Sequence, residues 1–97
     1  MKQYKFTENN LTYDVIECLN GAKHWYKNGV LHRDDGPSIE WDNGYKSWWK
    51  NGERHRDDGP AIEYANGEKD YWYNGEYLGH INSDKELKRY IKLLSIS

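Results

Sequence analysis

Trp25-Tyr26-Lys27-Asn28-Gly29-Val30-Leu31-His32-Arg33-Asp34-Asp35-Gly36-Pro37 returns 23 residues later as Trp48-Trp49-Lys50-Asn51-Gly52-Glu53-Arg54-His55-Arg56-Asp57-Asp58-Gly59-Pro60. Extended outward, the unit runs from Gly21 to Asn43 and again from Gly44 to Asn66, with 15 of 23 positions identical, and a third copy starting at Gly67 fades after Gly75. A fixed period of this length means stacked supersecondary units, each burying its apolar side against its neighbours. A residue present in every copy therefore serves the stacking before it serves a single active site.

Each copy is punctuated by Asn-Gly, at 20–21, 28–29, 43–44, 51–52, 66–67 and 74–75. Asn and Gly tolerate the positive φ angles of a type I′ turn, so six such dipeptides between aromatic and β-branched stretches predict a long antiparallel meander. Strands are expected at about 3–7, 12–19, 22–27, 30–33, 38–42, 45–50, 53–56, 61–65, 68–73 and 76–79. The Asp-Asp-Gly-Pro blocks read as a second kind of connection, in which Asp bonds the local backbone and Pro stiffens the exit. After Gly79 the period changes. Ser83 and Glu86 form a capping box, and Leu87, Tyr90, Ile91 and Leu94 fall on one helical face, predicting a helix over 84–94 that covers the last hairpin. The expected organisation is one mainly β domain over 1–97. It comprises a degenerate cap (1–20), two repeats (21–43 and 44–66), a partial repeat (67–79) and a capping helix (83–95).

Composition narrows the class. Leu, Ile, Val and Phe account for only 16 of 97 residues, but five Trp and nine Tyr supply large apolar area, so the core is expected to be aromatic. With 14 Lys plus Arg against 16 Asp plus Glu, no basic groove for nucleic acid is expected. Cys18 is the single cysteine, which excludes an intrachain disulfide and a thiolate metal site. Residues 1–20 hold no apolar run of signal-peptide length and no later stretch is long enough to span a bilayer, so a cytoplasmic protein without membrane contact is expected.

A two-residue hairpin fixes register, so the residues flanking each Asn-Gly sit opposite one another and cross-strand partners follow by counting outward. Ile39 then faces Trp48, Trp41 faces Lys46, and Trp49 faces Arg54. One face collects Ile16, Trp25, His32, Ile39, Trp48, His55, Ile62, Tyr71 and Leu78, and is expected to be core. The opposite face carries Tyr26, Trp49, Arg54, Trp72 and Tyr77, which vary between copies and are of the types enriched at interface hot spots, with Glu40 and Glu63 of an acidic Glu17, Glu40, Glu63 ladder beside them. These seven, Tyr26, Trp49, Arg54, Trp72, Tyr77, Glu40 and Glu63, are the candidate partner-binding residues. A rolled sheet that buries both faces is the alternative.

His32 and His55, near Asp34, Asp35, Asp57 and Asp58, invite a metal or catalytic reading. Leu78 at the third position argues instead for packing, each ring stacking on Trp25 or Trp48. Arg33 and Arg56 are expected to pair with carboxylates of the adjacent repeat, and Lys23, Lys46 and Lys69 to lie over Cys18, Trp41 and Tyr64. No phosphate loop, nucleophile elbow or Ser/His/Asp arrangement is present, and no cofactor, metal or catalytic residue is expected.

The stretches quoted above resemble tandem WYxNGxxHRxDGPA-type repeats of short phage and bacterial proteins, distantly similar to MORN-type β-hairpin repeats. The resemblance covers about residues 15–77 and implies a non-catalytic scaffold, often phage-borne. By that analogy the chain is expected to bind a protein in the host cytoplasm, as an inhibitor of a defence complex such as a CRISPR effector (an anti-CRISPR). A small-molecule or nucleotide binder is the alternative, a His/Asp metal enzyme a third, and homodimerisation through sheet edges is open to it.

Overall fold

The computed structural model describes residues 1–96, which form twelve antiparallel strands and one helix. A long first hairpin, β1 (Lys2–Glu8) and β2 (Leu11–Glu17), leads into β3 (Lys23–Lys27) and β4 (Val30–Leu31). The second repeat gives β5 (Ile39–Glu40), β6 (Lys46–Ser47), β7 (Trp49–Lys50) and β8 (Glu53–Arg54). The third gives β9 (Ile62–Glu63), β10 (Lys69–Asp70), β11 (Trp72–Tyr73) and β12 (Glu76–Tyr77), before α1 (Asp84–Leu94).

The main sheet runs β1-β2-β3-β5-β6-β9-β10 and stays open. Beside it the hairpins β3–β4, β7–β8 and β11–β12 stack in a row. The Gly52 N–H donates to the Leu31 carbonyl (2.9 Å) and Arg33 N–H to Trp49 (3.2 Å); Gly75 to Arg54 (2.9 Å) and Arg56 to Trp72 (3.4 Å) repeat the link one unit on. The meander and the helix are thus as expected, but the long strands expected at 45–50 and 68–73 are interrupted at Trp48 and Tyr71, where the chain passes from the main sheet into the row of hairpins.

The Asn-Gly turns fall into two classes. At 28–29, 51–52 and 74–75 both residues have positive φ (51° and 82°, 52° and 81°, 49° and 82°), the type I′ conformation. At 20–21, 43–44 and 66–67 only the glycine does. There the loop has three residues. The Asn43 carboxamide oxygen accepts the Tyr45 N–H (3.0 Å), Gly44 N–H donates to Trp41 (3.1 Å), and Trp41 N–H pairs with Tyr45 (2.9 Å). Asn20 and Asn66 do the same with Ala22 and Glu68. A type I turn closed by one left-handed glycine is the usual three-residue hairpin.

That extra loop residue shifts the register by one, and a one-residue slip moves side chains to the other face. Ile39 pairs with Ser47 and His24, not with Trp48, and Glu40 pairs with Lys46. The expected faces are corrected accordingly. Ile16 and Ile39 lie level with His24, whereas Trp25 lies level with Val15 on the opposite side. The lysines, expected over Cys18, Trp41 and Tyr64, instead share a row with the glutamates: Glu17, Lys23, Glu40, Lys46, Glu63 and Lys69 stand opposite one another across six strands. Two like-charge ladders become one alternating ladder, which stabilises strand pairing by about 0.2–1 kcal/mol per pair where it would otherwise oppose it.

Two apolar clusters lie at the ends, and Ala61 and Ile62 are buried between them. Tyr13, Val15 and Trp25 pack with Leu11 at the N-terminal end, and Tyr71, Leu78, Ile81 and Leu87 pack with Tyr73, Tyr90 and Ile91 under α1. The helix starts where Ser83 Oγ accepts the Glu86 N–H (3.2 Å), and is tied down by Tyr71 O–H donating to Asp84 (2.7 Å). It caps the third unit, as the apolar stripe predicts.

Candidate functional site: an arginine between two tryptophans

Trp49 on β7 stands opposite Arg54 on β8, and Trp72 on β11 opposite Tyr77 on β12. Because the Gly75 N–H joins the second hairpin to the Arg54 carbonyl, these four residues become successive rungs of one column. The Arg54 guanidinium carbon lies 4.8 Å from the Trp49 ring centroid and 4.9 Å from that of Trp72, and Trp72 meets Tyr77 at 5.3 Å. Trp49 is held from behind. Its indole N–H donates to Ser47 Oγ (2.9 Å), while the wholly buried Ser38 hydroxyl accepts its backbone N–H and donates to its carbonyl. Tyr77, 54% exposed, forms the outer end.

The three repeat arginines differ in how their charge is met. Arg33 lies 4.1 Å over Trp25 and binds both carboxylate oxygens of Glu8 (2.9 and 3.0 Å), the Pro37 carbonyl and Glu40. Burial opposes its charge, but these carboxylates raise its pKa, and the Arg33 hydrogen bond in turn holds Glu8 below the ordinary carboxylate value. Arg56 lies 3.8 Å over Trp48 and binds Asp58, the Pro60 carbonyl and Glu63. The Arg54 side chain makes no ion pair or hydrogen bond among the described residues; its Nε is buried without a partner, and the residue as a whole is half-buried. Its charge reaches Tyr64, whose phenol is pushed up to about 12 by its hydrogen bond to Asp70 and by burial, with Arg54 acting the other way.

No family model, curated protein or solved structure matches the chain.

The expected site residues therefore divide. Trp49, Arg54, Trp72 and Tyr77 come together. Tyr26 sits one hairpin earlier, opposite Leu31, with its ring 6.4 Å from that of His24. Glu40 and Glu63 stand elsewhere, in the alternating charge row, bound by Arg33 and Arg56 of their own repeats rather than of a neighbouring one. A second aromatic group escaped the sequence reading. Trp41, Tyr45 and Tyr64 form a cross-strand run with centroids 4.6 and 5.9 Å apart, and Trp41 is 47% exposed. The three-residue turn brings Trp41 opposite Tyr45, and the signal for it, Asp42 before Asn43-Gly44, is weak.

The His-Arg-Asp-Asp blocks are connectors. His32 Nδ1 accepts the backbone N–H of Asn51 (2.9 Å) and its Nε2–H donates to Asp34 (3.0 Å); His55 does the same with Asn74 (2.8 Å) and Asp57 (2.5 Å). Each imidazole thus fastens one loop to the turn of the next hairpin. Their rings meet Tyr13 and Tyr73, not Trp25 and Trp48. Among the described residues no group of three His, Cys, Asp or Glu is placed to hold a metal ion. The open groove of about 530 Å³ between the two loops is lined by Asp34, Asp57 and Asp58, which are engaged by His32, His55 and Arg56.

Proposed function

We propose that this chain is a non-catalytic protein-binding module whose recognition surface is the column Trp49, Arg54, Trp72 and Tyr77. The observation that carries the reading is the state of Arg54. A guanidinium held by two indole faces has lost most of its conformational freedom before any partner arrives, so less entropy is lost on binding. Its terminal N–H groups form a fork suited to a carboxylate, and Trp, Tyr and Arg are the residue types that dominate hot spots. Arg33 and Arg56, by contrast, are satisfied within the fold. The resemblance to phage-borne repeats adds the narrower proposal that the partner belongs to a host complex, such as a CRISPR effector, which the chain inhibits.

The test is recovery of bound protein from a bacterial lysate by tagged wild type, Arg54→Ala and Tyr77→Ala, with circular dichroism to verify the fold. A partner retained by wild type and lost from both folded variants supports the reading. Equal recovery by all three overturns it, and a thermal shift with nucleotides would instead favour a small-molecule binder.

A further inference from the structure

The outer edge of β1 carries a second, independent surface. Among the described residues β1 pairs only with β2, and it is seven residues long where the opposite outer strand, β10, has two. Six of its seven residues are exposed, including Tyr4 at 37% and Phe6 at 41%. Such an edge is ordinarily blunted by charge, above all by lysine. Here the central Lys5 is paired with Asp14 at 2.7 Å, which offsets the charge that would block pairing.

The backbone fixes which groups are free. Asn9 and Asn10 both have positive φ (50° and 66°), a two-residue turn whose closing pair, Glu8 and Leu11, is hydrogen-bonded. Glu8, Phe6, Tyr4 and Lys2 therefore direct their peptide groups toward β2, and Thr7, Lys5 and Gln3 direct theirs outward. A two-fold axis through Lys5 aligns the whole strand with a second copy of itself. Gln3 then pairs with Thr7 of the second copy and Lys5 with Lys5, giving about six ladder hydrogen bonds. Tyr4 falls opposite Phe6 of the second copy in a non-hydrogen-bonded pair, the closer kind, and does so twice. Lys2, which makes no ion pair among the described residues, falls opposite Glu8, whose carboxylate already holds Arg33 and would be shared. Centring on Tyr4 or Phe6 shortens the overlap and loses the match of Lys2 with Glu8.

We infer that the free edge of β1 pairs with β1 of a second copy of this chain, antiparallel and centred on Lys5, joining the two main sheets into one. Sedimentation equilibrium of the full chain tests it. Wild type is expected to rise from 11.6 kDa toward twice that mass between about 10 μM and 1 mM, the range of a small interface. Lys5→Pro removes an outward N–H and leaves the β1–β2 ladder whole, so it is expected to stay monomeric. Asp14→Asn restores the repulsion between the two Lys5 side chains and is expected to weaken association in low salt and regain it in high salt. Tyr77→Ala leaves the dimer intact. Monomeric wild type throughout, or association by folded Lys5→Pro and Asp14→Asn equal to wild type, overturns the inference.

Discussion

Replacing His55 by leucine separates a packing role from a connecting one. Leucine occupies the equivalent place at Leu78, buried at 2% in the cluster under α1, so volume and polarity alone would make His55→Leu harmless. The hydrogen bonds say otherwise. His55 is 7% exposed, and its Nδ1 is the acceptor for Asn74 N–H at 2.8 Å, while Nε2 serves Asp57. Leucine leaves that N–H without an acceptor in a partly buried turn, a loss of about 1–3 kcal/mol. The ring contact with Tyr73 at 4.6 Å goes as well. For a domain of this size about 1 kcal/mol moves the melting temperature by 4–8 °C, so a fall of about 4–24 °C is expected. Thermal unfolding followed by circular dichroism and tryptophan fluorescence reads it. The reciprocal variant, Leu78→His, places an imidazole among Ile81, Leu87 and Tyr71 with no further hairpin to donate to it, and is expected to destabilise at least as much. A His55→Leu protein as stable as wild type would refute the connecting role.

Three other outcomes follow from the same contacts. The Glu8 pKa is lowered from 4.5, first by the Arg33 hydrogen bond, so its contribution to stability is present above that value and is lost as pH falls through the lowered one; Glu8→Gln is expected to flatten the acid limb of a stability profile. The phenols of Tyr71 (burial first, then its bond to Asp84) and Tyr64 (its bond to Asp70 first) are pushed up to about 12. Their contribution is complete below the ordinary value of 10 and lost as pH rises toward 12, so ultraviolet titration should show these two ionising late, alongside Tyr4, Tyr13 and Tyr90, which burial also raises, and together with alkaline unfolding. Leu87→Ala empties a wholly buried position and is expected to cost about 2–5 kcal/mol in urea unfolding, with loss of helix signal.

Much of the candidate site could be read before any coordinates. Trp49 with Arg54, and Trp72 with Tyr77, flank true two-residue turns, so counting outward from Asn51-Gly52 and Asn74-Gly75 places each pair correctly. Counting across Asn43-Gly44 and Asn66-Gly67 puts Glu40 and Glu63 beside the same surface, but there the loop holds one residue more. That slip also hid Trp41, Tyr45 and Tyr64. Nothing in the spacing of Arg33, Arg54 and Arg56 says which of them lacks a carboxylate, because Glu8, the main partner of Arg33, is 25 residues away.

The sequence alone determined the repeat, the antiparallel meander, the position of the capping helix and the aromatic character of the core, since these rest on local propensity and on a period written twice. Only the tertiary structure decided which turn each Asn-Gly adopts. The dipeptide is compatible with both: at Asn51 and Asn74 a histidine 19 residues earlier accepts the turn's N–H and the previous hairpin takes the glycine's, whereas at Asn20, Asn43 and Asn66 the asparagine bonds its own loop. Asn28-Gly29 adopts the type I′ turn with no such contact among the described residues, so contacts between repeats fasten the two later turns, and the turn type sets the register that decides which side chains share a face.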